Sequence, residues 1–538
     1  MTVVFRNGSV FDGHDHVGQV DVAVDGDRIV AVGPDLDHAG EVVDLAGGML
    51  APGFVDAHVH AVQGGLERVR CDLSGVKEDR VAYLETVRDY ADTHPDRPWI
   101  LGGGWSMAVF PGGTPTAADL DTAISGRPAF LPNRDHHGAW LNTAALRRAG
   151  IDRHTPDPRD GRIERDAAGE PTGTLHEGAM RLVTEVLPRT HDEEYDGALL
   201  EGQRFLHSLG VTGWQDAIVG SYAGMDDPGP IYWRAARRGD LTAYVVGALW
   251  WERNRGIEQL AELRRRRDEL THGRFRATSV KVMQDGVAEN GTAAMLEPYL
   301  DKCGHATDNR GHSFVDAAAL SRTVAALDQD GFQIHVHAIG DRAVRETLDA
   351  FAGLDGLDRR TDLRHHLAHL QIVHPDDVAR FADLGIAANL QTLWACREPE
   401  MIELTLPFIG EERGRQQYPF GDLHRAGTRL VAGSDWPVST PDPLLAMHTA
   451  VNRTAYGMDG PAGNDPFLPE QSIDLQTAFA AYTSGSAWIN HRDDAGVVRP
   501  GAVADLVVLD RDPFAGSVDE IGSTKVVSTW VDGVKVHG

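Results

Sequence analysis

Two histidines two residues apart close the apolar run GFVDAHVH. In a strand, positions i and i+2 face the same side, so His58 and His60 point together. Alone, they are either two core histidines or half of a metal site. Later apolar runs carry similar residues: Lys281 in SVKVMQ, His335 and His337 in FQIHVHAIGD, His365, His366 and His369 in LRHHLAHL, and Asp435 in AGSDWP. Each has an ordinary explanation, as a hydrogen-bonded core histidine, a snorkelling lysine, or a turn or capping aspartate. Burying all of them at one end of one fold without a compensating ion is costly. Imidazole and carboxylate together suit zinc and its first-row neighbours. The lysine is the odd member, because only five of the 51 basic residues are lysines (Lys77, Lys281, Lys302, Lys525, Lys535). A protonated ammonium is no ligand, but a lysine desolvated beside a cation loses its proton readily. Its neutral amine adds CO2 to form a carbamate, whose two oxygens are able to bridge two metals.

These residues meet only if their strands do. Eight strand candidates run from GFVDAHVH through GVTGWQDA, LTAYVVGALW, TSVKVMQDG, FQIHVHAIGD, LRHHLAHL and GIAANLQT to TRLVAGSDWP. Helical stretches such as IEQLAELRRRRDEL, ALSRTVAALDQDG and PDDVARFADLG lie between them, which implies parallel βαβ units. The expected fold is α/β, a (β/α)8 TIM-like barrel with its site at the C-terminal strand ends. A doubly wound sheet is the alternative, but no GxGxxG or GxxxxGK[ST] opens any βα unit. Strands one and two are separated by far more chain than a βα unit needs. Residues 72–190 are therefore expected to form an inserted subdomain over the active-site mouth, within a barrel of residues 51–71 and 191–490. Both ends of the chain alternate like short strands, with NG and DG as hairpin signals. Residues 1–50 and 491–538 are expected to pair into a small β-sandwich.

Composition narrows the class. Hydrophobic content of 42% and charged content of 24% are those of a globular protein. A formal net charge of −29 argues against a nucleic-acid or anionic-membrane surface. No window approaches a membrane span, and the opening MTVVFRNGSVFDG lacks the layout of a signal peptide. Cys71, Cys303 and Cys396 lie far apart with no CxxC, so no disulfide framework or cysteine metal site is indicated. A cytoplasmic protein is the expectation, with a small-molecule substrate and a homodimeric assembly.

Read together, LAPGFVDAHVH, VKVMQDG, HVHAIGDRA, AGSDWPV, HHGAWLNTAAL, GEPTGTL and GAVADLVVLDRDP resemble the amidohydrolase superfamily nearly end to end. The likeness is to its amidohydrolase 3 branch, which includes N-substituted formamide deformylase. It implies a metal-dependent hydrolase of non-peptide carbon–nitrogen bonds with one or two zinc ions. His58, His60, His337 and His369 resemble the imidazole ligands, Lys281 the carboxylated lysine that bridges when two metals bind, and Asp435 the metal-linked catalytic aspartate. Strand six departs from the pattern, with Ala368 where relatives carry an acidic residue, so His366 competes with His369. His335 is expected to support the ligands and His365 to face away.

The implied reaction is attack of metal-bound hydroxide on a polarised carbonyl, with Asp435 as general base and then acid. Asp285 and Asp341 either orient ligands or cap the next helix. Trp105, His137, Trp394, Trp436 and Arg453 are the candidates for substrate contact. A deaminase on the same barrel is the rival; it lacks the lysine and needs a glutamate that HAIGD does not offer. Ester or lactone hydrolysis needs the same hydroxide. A metal-free scaffold of this fold would lack several of these residues. N-substituted formamides or N-acyl amines are the expected substrates.

Overall fold

The computed structural model describes residues 2–37, 40–124, 126–222, 225–354 and 362–538. Its centre is a parallel sheet of eight strands among the described residues: β1 (Phe54–Val59), β2 (Val211–Val219), β3 (Tyr244–Trp250), β4 (Phe275–Met283), β5 (Gln333–Ala338), β6 (His366–His369), β7 (Ala387–Leu390) and β8 (Leu430–Ala432). They pair in sequence order. The ring closes at its C-terminal rim, where Asp435 N donates to His58 O at 2.7 Å and His60 N to Trp436 O at 2.8 Å. Gly433 sits at this joint because a Cβ there would stand 2.5 Å from His58 N. The fold is thus the expected (β/α)8 barrel, and all eight strand candidates lie in it.

The strands form where apolar, often β-branched runs are buried on both faces, as parallel sheets covered by helices require. Helices Ala317–Gln329, Asp341–Ala352 and Pro375–Leu384 follow β4, β5 and β6. Asp316 caps the first by accepting from Ala319 N, and left-handed Gly385 ends the third. The barrel's middle is not wholly apolar. Gln215, Gln333, His335, His366, Asn389 and Asn490 form a buried hydrogen-bonded network across it.

Between β1 and β2 the chain builds a second, six-stranded sheet from Cys71–Asp72, Ile100–Gly103, Ala129–Pro132, Gly138–Leu141, Gly161–Arg165 and Pro171–Glu177. Two apolar clusters cover it, one around Tyr83, Trp105 and Trp140, the other around Phe130, Leu146 and Leu175.

The two ends of the chain interleave. Strand Met49–Pro52 pairs antiparallel with Leu506–Leu509, and a common core joins Val3, Phe5, Leu50, Leu506 and Trp530. The DG turns at Asp25–Gly26 and Asp532–Gly533 close hairpins. The NG at Asn7–Gly8 does not: Thr2–Arg6 and Ser9–Phe11 belong to different sheets. Bonds from Leu45 N to Arg6 O, Gly47 N to Asn7 O and Ser9 N to Gly48 O replace the hairpin ladder there. No described helix is long and apolar enough to cross a membrane.

Candidate metal centre

Asp435 is the hub. Its Oδ1 lies 3.1 Å from His58 Nε2 and 3.0 Å from His60 Nε2, and its Oδ2 lies 3.9 Å from His369 Nδ1. Lys281 Nζ stands 3.4 Å from His58 Nε2. The His369 ring is 4.7 Å from that of His58 and 4.3 Å from that of His337, centroid to centroid. The structure therefore brings His58, His60, Lys281, His337, His369 and Asp435 to one place at the C-terminal rim.

A relay behind the rim fixes the orientation of His58. Gln215 Oε1 lies 2.7 Å from His335 Nδ1, and His335 Nε2 lies 2.9 Å from His58 Nδ1. With both rings neutral, His335 donates to Gln215 and His58 donates to His335. The Nε2 lone pair of His58 is then left facing the Asp435 carboxylate. Two lone pairs 3.1 Å apart repel unless a cation lies between them.

His366 does not compete for the centre. Its Nε2 lies 3.1 Å from Gln215 Oε1 and its Nδ1 accepts from Asn389 Nδ2 at 3.1 Å, so both nitrogens are spent inside the barrel. His365 faces away, against Phe351 and Asp328. Strand alternation alone would send His369 outward with His365 rather than inward with His366. Instead His369 (φ 80°) and Leu370 (φ 52°) take left-handed backbone, which swings the imidazole over the rim. Asp435 is left-handed too, at φ 57°. Such strain persists only where the surroundings hold it, commonly at functional sites.

The electrostatics match a cation site. Burial, and then the Lys281 charge, push His58 down to about 3. Burial drives His337 and His369 well below the usual imidazole range. All three rings are thus neutral and able to ligate. Burial lowers Lys281 to about 7 against the pull of Asp435, so its amine loses its proton near neutral pH. Burial opposes ionisation of Asp435, but positive charge at His58 and hydrogen bonds from His58 and His60 hold it well below the carboxylate range; with the rings neutral, a cation in the cluster supplies that charge instead.

Whether these residues suit a metal is tested by their unspent atoms. His60 Nδ1 and both ring nitrogens of His369 are buried with no hydrogen-bond partner. Donor atoms of His58, His60 and Asp435 all lie within 4.8 Å of one another. Neutral imidazoles, a carboxylate and idle buried nitrogens fit a divalent ion.

A cavity of about 50 Å3 opens onto this cluster. Of the expected substrate contacts, His137 and Trp394 line it. Trp394 stacks on His369, with ring centroids 5.4 Å apart and planes 6° apart. Trp394, Trp105 and Trp436 also line an adjoining chamber of about 420 Å3. Arg453 lines neither cavity. It occupies a left-handed position at the end of helix Pro443–Asn452, fully buried, and donates to the Phe467 and Tyr418 carbonyls. Asp285 accepts from Ile339 N, Gly340 N and Ala294 N and lies 3.6 Å from His337. Asp341 holds Leu296 N and does not adjoin the cluster.

Sequence reasoning missed Glu177. Its Oε1 lies 2.8 Å from His137 Nδ1 and accepts from Thr292 Oγ1 at 2.9 Å. Burial disfavours a charged His137, yet the Glu177 charge and hydrogen bond raise it to about 9. GEPTGTLHEGAM carried the glutamate, but no spacing links it to His137. The carboxylates of the chamber were equally hidden: Glu289 and Glu398 come from loops and Glu400 from the start of a helix.

A profile described as the amidohydrolase family matches residues 41–537. The chain is 29% identical over 556 residues to Protein LONG AFTER FAR-RED 3 of Arabidopsis thaliana, covering 99% of this chain and 91% of that one. It is 27% identical over 558 residues to N-substituted formamide deformylase of Arthrobacter pascens, covering 99% and 97%. Among solved structures, it is similar to an uncharacterized metal-dependent hydrolase from Pyrococcus furiosus. That match has a TM-score of 0.69 and 25% identity over 95% of this chain and all of the other.

Proposed function

Since the chain belongs to the amidohydrolase family, we propose that it hydrolyses an amide-type carbon–nitrogen bond, with N-substituted formamides or N-acyl amines as substrates. The observation that carries this reading is the convergence of His58, His60 and His369 on Asp435, with Lys281 alongside. The name of the Arthrobacter relative supports the formamide class. His58, His60, His337, His369 and Asp435 would hold the metal, with zinc as the ion. A carbamate on Lys281 would join them where two ions bind. A divalent ion there supplies Lewis acidity and acidifies water.

The remaining chemistry belongs to side chains. Asp435 takes the proton of the attacking water and returns it to the leaving nitrogen; the freedom of Oδ2, the oxygen farther from the imidazoles, supports this role. His137, kept charged by Glu177, donates to the carbonyl oxygen as negative charge develops on it. Both come from the 72–190 segment, which in this reading shapes substrate choice.

The test is metal analysis of the purified protein, followed by a screen of N-formyl amines, N-acyl amines, amino-acid amides and lactones with the zinc-loaded enzyme. Amide turnover that depends on metal is the expected result. A protein that rejects added zinc, or one that turns over only lactones, overturns the reading.

A further inference from the structure

The chamber beside the catalytic pocket holds about 420 Å3 against about 50 Å3 for the pocket itself, so the body of a substrate lies in the chamber. The two share Asp135, Val287, Ile339, Trp394 and Val438 on their walls and are continuous. The chamber's charge is unbalanced. Asp135, Glu289, Glu398 and Glu400 line it close together. Burial, and then the neighbouring carboxylates, push Glu398 up to about 7. Two guanidiniums share the wall: Arg134, bonded to Glu78, also acts on Glu400 and Glu398, and Arg68 is bonded to Glu201, which still leaves the wall with more carboxylates than cations.

The hydrogen bonds of these carboxylates are uneven. Glu400 accepts from Ser106 Oγ and Met107 N, and Glu289 from Thr405 Oγ1. The Glu398 carboxylate has no hydrogen bond or ion pair among the described residues. Glu67, 8% exposed and also on the chamber wall, has a buried Oε2 with no partner. A buried Glu67 oxygen and the half-buried Glu398 carboxylate, both without a donor beside a ligand-sized cavity, call for one that the chain does not supply. Trp394 and Tyr418 on the same wall are aromatic residues of the kind that attract a cation on an apolar stem.

We propose that the chamber binds a protonated amine or guanidinium at the far end of the substrate, so that the preferred substrates are N-acyl amines bearing a second, cationic group. This rests on reading the adjoining pocket as an amide-hydrolase centre.

The experiment compares two ligands of equal length, N-(ω-aminobutyl)formamide and N-pentylformamide, as substrates of the zinc-loaded enzyme. Their inert methanesulfonamide counterparts are compared by calorimetry. The cationic member is expected to show kcat/KM and affinity higher by on the order of tenfold or more. Glu398→Gln is expected to narrow that ratio, and Glu289→Gln provides the same reading should the first variant fail to fold. Selective binding of the cationic sulfonamide without hydrolysis of either formamide keeps the chamber assignment and overturns the hydrolase reading. Hydrolysis of both formamides at equal rates, with equal sulfonamide affinities, overturns the chamber assignment and keeps the hydrolase.

Discussion

Lys281 Nζ stands 3.4 Å from His58 Nε2, with the Asp435 carboxylate against the same nitrogen. A lysine and a histidine this close and this buried are not both charged, and burial brings the lysine down to about 7. A neutral Lys281 amine is ready to become an anionic carbamate. Lys281→Ala is therefore expected to lose most bound metal after dialysis, with a short carboxylic acid such as formate or acetate restoring part of it. Elemental analysis showing full metal content in the untreated variant would remove Lys281 from the centre.

Asp435→Asn keeps the size of the side chain and removes its basicity. Turnover is expected to fall by roughly 10²–10⁴-fold, the usual range for a general base, while metal is retained. Pre-steady-state and steady-state rates on one formamide substrate check this, and a fully active variant would sink the proton-transfer role.

His366 and His369 separate stability from chemistry. His366→Ala removes one of two partners of Gln215 Oε1 and one of two of Asn389 Nδ2 and empties ring-sized space inside the barrel, so it should cost about 1–3 kcal/mol of stability. Metal content should change little. His369→Ala breaks no side-chain hydrogen bond among the described residues, because both its ring nitrogens are idle, yet it should lose metal. Denaturant titration and metal analysis of both variants give opposite patterns if this assignment holds and the same pattern if it does not.

The His137–Glu177 pair predicts a pH signature. The folded value of His137 is raised from 6.5 to about 9, so its contribution is fully present below 6.5 and is lost as pH rises through about 9. Glu177 is lowered from 4.5, so its share is present above 4.5 and is lost as pH falls through its depressed value. The difference in melting temperature between the wild type and Glu177→Gln should be widest between 4.5 and 6.5 and should close toward pH 9. A gap that grows with pH across that window contradicts the pairing.

Gly433→Ala tests the joint of the ring. The added methyl would stand 2.7 Å from His58 Cβ, which forces β1 and β8 apart. Overpacking of this kind costs about 1–3 kcal/mol, and metal affinity should drop with stability because His58 moves. A variant with unchanged melting temperature and metal affinity would show that the joint yields freely.

Much of the barrel was legible because each strand is an apolar run and the helices between them carry a helical period. His58, His60, Lys281 and His337 could be placed on the correct face because alternation from one strand to the next is regular. His369 and Asp435 were legible as residue types but not as positions. Alternation points His369 outward, and only the left-handed backbone at φ 80° brings it in. Arg453 failed for a related reason: a left-handed turn at the end of its helix buries it under Tyr418 and Phe467. Glu177, Glu289 and Glu398 reach their places through loops and the second sheet. No period in the sequence records where a loop side chain ends up. The Asn7–Gly8 turn misled because a tight turn links two sheets here as readily as two partners in one.

The joint between β1 and β8 also bears on when the protein first becomes active. His58, His60, His337 and His369 all precede Asp435 along the chain. A growing polypeptide extruded as far as β7 carries every imidazole of the centre. It lacks the carboxylate and the Trp436 carbonyl that receives the His60 N–H. With Asp435 as the proposed proton carrier, hydrolytic power would be withheld from nascent and truncated chains, and the first turnover would report that the ring has shut.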